Sequence, residues 1–240
     1  MINNKKGLWN VFKQKRQLPP GLTWPGALYC LWATLAIGLS LIIGGLKPEN
    51  ITRLMVLLFL ALSLWQRAQI LKLFSGFRPY IRFVSLGCIL ASVVEGFHMI
   101  SEPVFRSLRV TSAMPWSQAL INFGLDLLFT LPAYAVIFSL IWYLSNRYVY
   151  SFWGYVIIMG MAQALGDGGL YFFMAAPPML AFLPYPMTNY HAVNLLPFLS
   201  VRDQLQPQRK SGGWLAIPAI VATYFVCGAL IQISGKYFGL

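Results

Sequence analysis

Three carboxylic acids occupy positions where an acid is costly. The 240-residue chain has only six, Glu49, Glu95, Glu102, Asp126, Asp167 and Asp203, and the second, fourth and fifth fall inside long apolar runs. An ionisable group in hydrocarbon faces a bundle interior or a water-filled cavity and marks function. Depth adds to the argument. At about 1.5 Å of rise per residue, Glu95 lies roughly 8 Å from the outer end of its run, Asp126 roughly 13 Å and Asp167 roughly 10 Å, while His191 and Asn194 lie roughly 8 to 12 Å into theirs. Four consecutive apolar segments therefore place polar groups in one half of the membrane, and the first, second and last segments carry none comparable.

Spacing suggests shared faces. Glu95 and His98 are three apart, so their side chains can meet on one helix. Gln163, Asp167 and Tyr171 follow one another at intervals of four, and His191 and Asn194 are again three apart. The chemistry these types offer is proton transfer by positioned carboxyls and imidazole, with Glu95, His98, Asp126 and Asp167 as catalytic candidates. Gln163, Tyr171, Asn189, His191 and Asn194 are candidates for holding a ligand. The same groups could serve as interhelical hydrogen bonds, each worth on the order of 0.6 kcal/mol. Acids at one depth are an expensive way to join helices, which favours a cavity.

Other chemistries find less support. His98, His191 and the acids do not supply a metal-ligand spacing, so no metal and no other cofactor is expected. Gly166-Asp167-Gly168-Gly169 is glycine-rich but lies within an apolar run, where small residues permit close helix packing. No Gly-x-Ser-x-Gly elbow is present. Cys30, Cys88 and Cys227 lie in apolar runs and read as small buried hydrophobes.

The elements that position these groups are membrane spans. The chain is 58% hydrophobic and 10% charged, against about 25% charged residues in an ordinary soluble domain. Seven segments approach the roughly 20 apolar residues that a span requires: 26–46, 52–73, 81–100, 117–145, 149–174, 186–201 and 213–234. The sixth is short and polar, with Asn189, His191, Asn194 and Pro197, and must face protein or a cavity. Placing the N-terminus in the cytoplasm puts thirteen Lys and Arg on the inside and five, Lys47, Arg53, Arg106, Arg109 and Lys236, outside, as the positive-inside rule requires. The fold class is thus an all-α polytopic bundle of about seven spans. The net charge of +12 reflects flanking Lys and Arg at the membrane rather than nucleic-acid binding. Residues 5–18 carry an apolar face of Leu8, Val11 and Phe12 among lysines and read as an interfacial helix on an anionic leaflet, or as a basic tail. The first span, following this segment, reads as an uncleaved anchor. The bacterial inner membrane and the endoplasmic reticulum fit equally.

Three stretches carry a resemblance. Val94-Glu95-Gly96-Phe97 resembles the acid-Gly-aromatic helix of emopamil-binding proteins. Gly166-Asp167-Gly168-Gly169-Leu170-Tyr171-Phe172-Phe173 is similar to that family's Gly-Asp-x-x-Tyr-Phe region. Leu195-Leu196-Pro197-Phe198-Leu199, followed by Asp203, resembles its last helix and cytosolic exit. The chain therefore resembles the four-helix EXPERA domain of sterol isomerases and related lipid-handling proteins over about residues 80–205. Departures accompany it: Ala91 stands where the isomerases carry His, Asp126 stands closer to Pro132 than their second-helix Glu does to its Pro, and Val193 replaces a Trp.

The resemblance implies an acid-base alkene shift, in which a protonated carboxyl donates to a double bond and a base removes a proton elsewhere. It divides the chain into a basic segment 1–25, two leading spans in 26–79, the four-helix domain 80–205, and a loop with a last span in 206–240. The expected function is binding, and on the resemblance isomerising, a sterol- or isoprenoid-type lipid. The partner is then a membrane lipid or hydrophobic small molecule, and a homo-oligomer is compatible with the pattern. The alternatives are a proton- or cation-coupled transporter using Glu95, Asp126 and Asp167, and a non-catalytic assembly subunit.

Overall fold

The computed structural model describes residues 21–240; the expected interfacial helix over 5–18 lies outside them. The described chain is helical, with one isolated bridge between Tyr148 and Arg209 as its only β feature. The helices are α1 (Trp24–Gly44), α2 (Pro48–Trp65), the short α3 (Arg67–Leu73), α4 (Pro79–His98), α5 (Trp116–Arg147), α6 (Phe152–Ala164), α7 (Leu170–Ala175), α8 (Pro184–Val201) and α9 (Ala216–Tyr237). Their starts are written in the sequence. Proline stands in the first turn of α1, α2, α4 and α8, where its missing N–H costs nothing. Ser151 caps α6 by accepting from the Gly154 amide at 3.0 Å.

Six helical segments among the described residues are long and apolar enough to cross a membrane: α1, α2, α4, α5, the α6–α7 stretch, and the last helix from Gly213. The protein is a multi-pass membrane protein. The expected sixth segment forms a full helix, α8, but it is not apolar enough to belong to that set. Its environment explains why. Thirteen of its eighteen residues are buried, and it packs on α4, α6, α2 and α1. Its polar groups meet protein, as a helix of this composition requires. Large apolar side chains instead cover the outside of α1, α2 and α9, among them Leu35, Ile42, Leu58, Val226 and Ile233.

The helices around α8 close a ring. α4 packs on α5, α5 on α9, α9 on α6, α6 on α8, and α8 on α4. Glycines set the close approaches: Gly87 admits the Phe138 ring between α4 and α5, Gly160 admits His191 between α6 and α8, and Gly166 receives Tyr224 of α9. The face carrying the α1–α2 and α4–α5 loops is called distal below.

Two expectations about the elements need correction. The run 149–174 is not one continuous helix. It breaks between α6 and α7, where Asp167 has ψ 50° and Gly168 has φ +83°, a left-handed conformation that glycine adopts without steric cost. The second helix starts at Pro48 rather than 52, which moves Arg53 from an outer loop into the second turn, buried at 7% exposure.

Candidate functional site

A cavity of about 1150 Å³ lies inside the ring toward the distal face. Six of the nine residues singled out from sequence line it: Glu95 and His98 of α4, Gln163 at the end of α6, Asp167 at the break, Tyr171 of α7 and Asn189 of α8. The apolar wall includes Ile137, Phe138, Phe172, Phe173, Val193 and Phe225. Pro132 stands within α5, two residues after Thr130 and two before Tyr134, both on the cavity wall.

Each acid is held from a neighbouring helix. The Tyr134 hydroxyl of α5 donates to Glu95 Oε2. The Tyr190 hydroxyl of α8 donates to Asp167 Oδ2, while the rest of Asp167 borders open space. The carboxyl that Tyr190 holds therefore sits at the discontinuity of the helix, beside Gly168. Asp126 is different. It is fully buried and lies against Glu95, near the Val104 amide, outside the cavity lining. Neither of its carboxyl oxygens makes a hydrogen bond.

Glu95 and His98, one turn apart, do not pair with each other. His98 Nε2 receives the Asn189 amide at 2.9 Å, and the same Asn189 accepts from Arg53 Nη1 through its oxygen. Because the oxygen side of Asn189 faces a donor, its nitrogen side must face His98, which makes Nε2 the acceptor and leaves the proton on Nδ1. Arg53 also donates to Thr188 Oγ1 at 3.1 Å, and its guanidinium lies 4.4 Å from the Tyr185 ring centroid.

The stripe expected from Gln163, Asp167 and Tyr171 is interrupted by the break. Gln163 is 1% exposed, accepts from Tyr224 of α9 at 3.2 Å and donates to Met159 O. Tyr171 is open and its ring lies tilted against that of Phe225, with centroids 5.3 Å apart. His191 and Asn194 face away from the cavity. His191 is bound by the Tyr29 hydroxyl of α1, and Asn194 donates to the Tyr190 carbonyl at 2.7 Å. His191 thus ties α8 to α1, Asn194 bonds within α8, and neither lines the site.

Sequence reasoning passed over Arg53, Tyr134, Tyr190 and Tyr224. The tyrosines gave no signal against an aromatic-rich background. Arg53 did: Pro48-Glu49 is a helix-start pattern, and it places the arginine inside α2. The expectation that the first, second and last segments carry no comparable polar groups is therefore corrected for two of them, because α2 contributes Arg53 and α9 contributes Tyr224. Among the described residues, no group of three or more His, Cys, Asp and Glu is arranged to hold a metal ion. Comparison with protein-family models, with curated proteins and with solved structures finds no match to this chain.

Proposed function

We propose that the cavity binds a hydrophobic lipid of sterol or isoprenoid type and, following the resemblance to the EXPERA domain, shifts a double bond in it by acid-base chemistry. One observation carries the reading: a cavity of about 1150 Å³, largely apolar, with two tyrosine-held carboxyls on its wall, inside an apolar bundle. Small-molecule pockets span roughly 300–1,000 Å³, so this volume suits a lipid better than a small metabolite.

In the proposed reaction Glu95 delivers its proton to one alkene carbon and leaves a cation on the other. A base removes a proton from the adjacent carbon, the double bond moves by one position, and no oxidant or reductant is consumed. Asp167 is the better base, because the Asn189 amide already occupies the His98 lone pair. His98 then positions rather than transfers. Tyr134 and Tyr190 keep the two carboxyls aimed. The test is mass spectrometry of lipids that co-purify with the wild type, Glu95→Gln and Asp167→Asn. A stoichiometric sterol- or isoprenoid-like species, altered in the variants, is the expected result. Bulk phospholipid alone, unchanged in all three, removes the reading.

A second reading rests on the break at Asp167–Gly168. Transporters place substrate and ion sites at discontinuous helices, and a carboxyl at such a break would serve proton or cation coupling. Proton uptake by proteoliposomes that depends on Asp167, in protein free of bound lipid, would favour it.

A further inference from the structure

Arg53 is a buried cation that the chain leaves partly unserved. It sits roughly 8 Å inside the distal end of α2, is 7% exposed, and lines the cavity. Its Nη1 donates to Thr188 and Asn189, both neutral. Its buried Nε donates to nothing. Among the described residues no carboxylate forms an ion pair with it. Glu102 lines the same cavity and acts on Arg53 through space, but it is an exposed loop residue that also borders Arg106 and Arg109 and makes no ion pair with Arg53. Glu95 and Asp167 are engaged by tyrosines.

A guanidinium removed from water is stable only when its charge and its donors are met. An amide, a hydroxyl and an aromatic ring meet part of that need. What is missing is an anion, and the guanidinium fork matches carboxylate and phosphate oxygens in two-point geometry. The open side of the Arg53 site is the cavity itself. From there Phe138, Phe172, Phe173 and Phe225 provide apolar wall, far more room than a free phosphate or acetate needs.

We infer that the ligand of this cavity is an anionic amphiphile, its carboxylate or phosphate head paired with Arg53 and its hydrocarbon part along the phenylalanine wall. The inference rests on the reading of the cavity as a lipid site and narrows it: an isoprenoid or acyl chain with a charged head fits, and a lipid whose only polar group is a hydroxyl does not. Arg53 thereby fixes the end-to-end orientation of the chain against Glu95 and Asp167.

The test uses the full chain in phosphatidylcholine nanodiscs at pH 8, with two photoactivatable probes of identical chain, a monoalkyl phosphate and the corresponding alcohol. Wild type is expected to take up the phosphate at concentrations at least about tenfold lower than the alcohol, the scale of one charge-assisted hydrogen-bonded pair. Arg53→Gln brings the phosphate to the level of the alcohol and leaves the alcohol unchanged, which also reports that the variant is folded. Where Arg53→Gln loses both probes, Arg53→Lys decides, retaining the charge without the fork and keeping a reduced preference for the phosphate. Equal uptake of the two probes by wild type overturns the anionic head but leaves the lipid site standing. Uptake of neither probe overturns the lipid site as well. Full displacement of the alkyl phosphate by millimolar inorganic phosphate overturns the amphiphile in favour of a small-anion site.

Discussion

Asp126 of α5 lies against Glu95 of α4, fully buried, with neither carboxyl oxygen in a hydrogen bond. Two acids pressed together out of water are a liability for folding, so the arrangement calls for a reason other than stability. A proton passed between them, readying Glu95 for another turnover, would be such a reason. Asp126→Asn supplies an amide that can donate to Glu95 and relieves the buried carboxyl. It should raise stability by about 1–3 kcal/mol, read as a higher melting temperature in detergent, while reducing turnover of any substrate found. A lower melting temperature would make Asp126 a structural residue.

Asn189 answers two partners at once, Arg53 through its oxygen and His98 through its nitrogen. Arg53 keeps Thr188 and the Tyr185 ring, so Asn189→Leu takes one acceptor from a buried cation and leaves the His98 imidazole facing an apolar side chain. A loss of about 2–4 kcal/mol is expected. Asn189→Asp keeps the acceptor for Arg53 and should retain most of the stability if the other carboxyl oxygen meets His98 as its protonated partner. Thermal unfolding of the two variants beside wild type checks both. A leucine variant as stable as wild type would mean that the bridge carries no energy.

Much of this arrangement is legible in the residues, and its limits have physical causes. Length and apolar composition announce α1, α4, α5 and α9, because a span needs an apolar run and little else. Depth along each run points to Glu95 and Asp167, which do line the cavity, but equally to Asp126, His191 and Asn194, which do not. Direction around each helix is harder to read. In α8, buried on nearly every side, His191 and Asn194 face α1 and their own helix while Asn189 faces the cavity, and no polar stripe distinguishes them. The ring closure by α9 is hidden for a similar reason: Tyr224 and Phe225 sit in an apolar run that looks like any lipid-facing helix. Gly168 is a case of partial legibility. Its glycine neighbours suggest close packing, which holds for Gly166 against Tyr224, but the left-handed φ that breaks the helix is set by tertiary structure.

Gly168 offers a direct check on the break. Its φ of +83° is unfavourable for any residue with a Cβ by roughly 1–2 kcal/mol. Nothing crowds the position, so Gly168→Ala tests conformation alone. It should destabilise the protein by about that amount and draw Asp167 away from Tyr190, lowering ligand retention. Gly124→Ala is the contrast. Gly124 is helical within α5 and an added Cβ there meets nothing within 4 Å, so alanine should stabilise by up to about 1 kcal/mol. Equal effects at the two positions would argue against a required break.

The last helix decides whether residues 80–205 suffice for the site. If they do, removing α9 should leave a working cavity. The packing says otherwise. α9 covers Gly166 with the body of Tyr224, bonds Gln163 through the Tyr224 hydroxyl, and contributes Phe225 to the wall. Near its end, Gly235 receives the Phe105 ring and Phe238 packs on Phe129 at 5.8 Å between centroids, tying α9 to the distal loop and α5. Within the full chain, Gly166→Leu sets a side chain where the Tyr224 ring lies, which must shift α9 outward, at a cost of about 1–3 kcal/mol. It should lose bound lipid while α4, α5 and α8 remain packed. Cysteine cross-linking between α4 and α8, together with co-purified lipid, separates the two effects. Lipid retained at the wild-type level in Gly166→Leu would return α9 to the role of an accessory span and leave the cavity to the four helices before it.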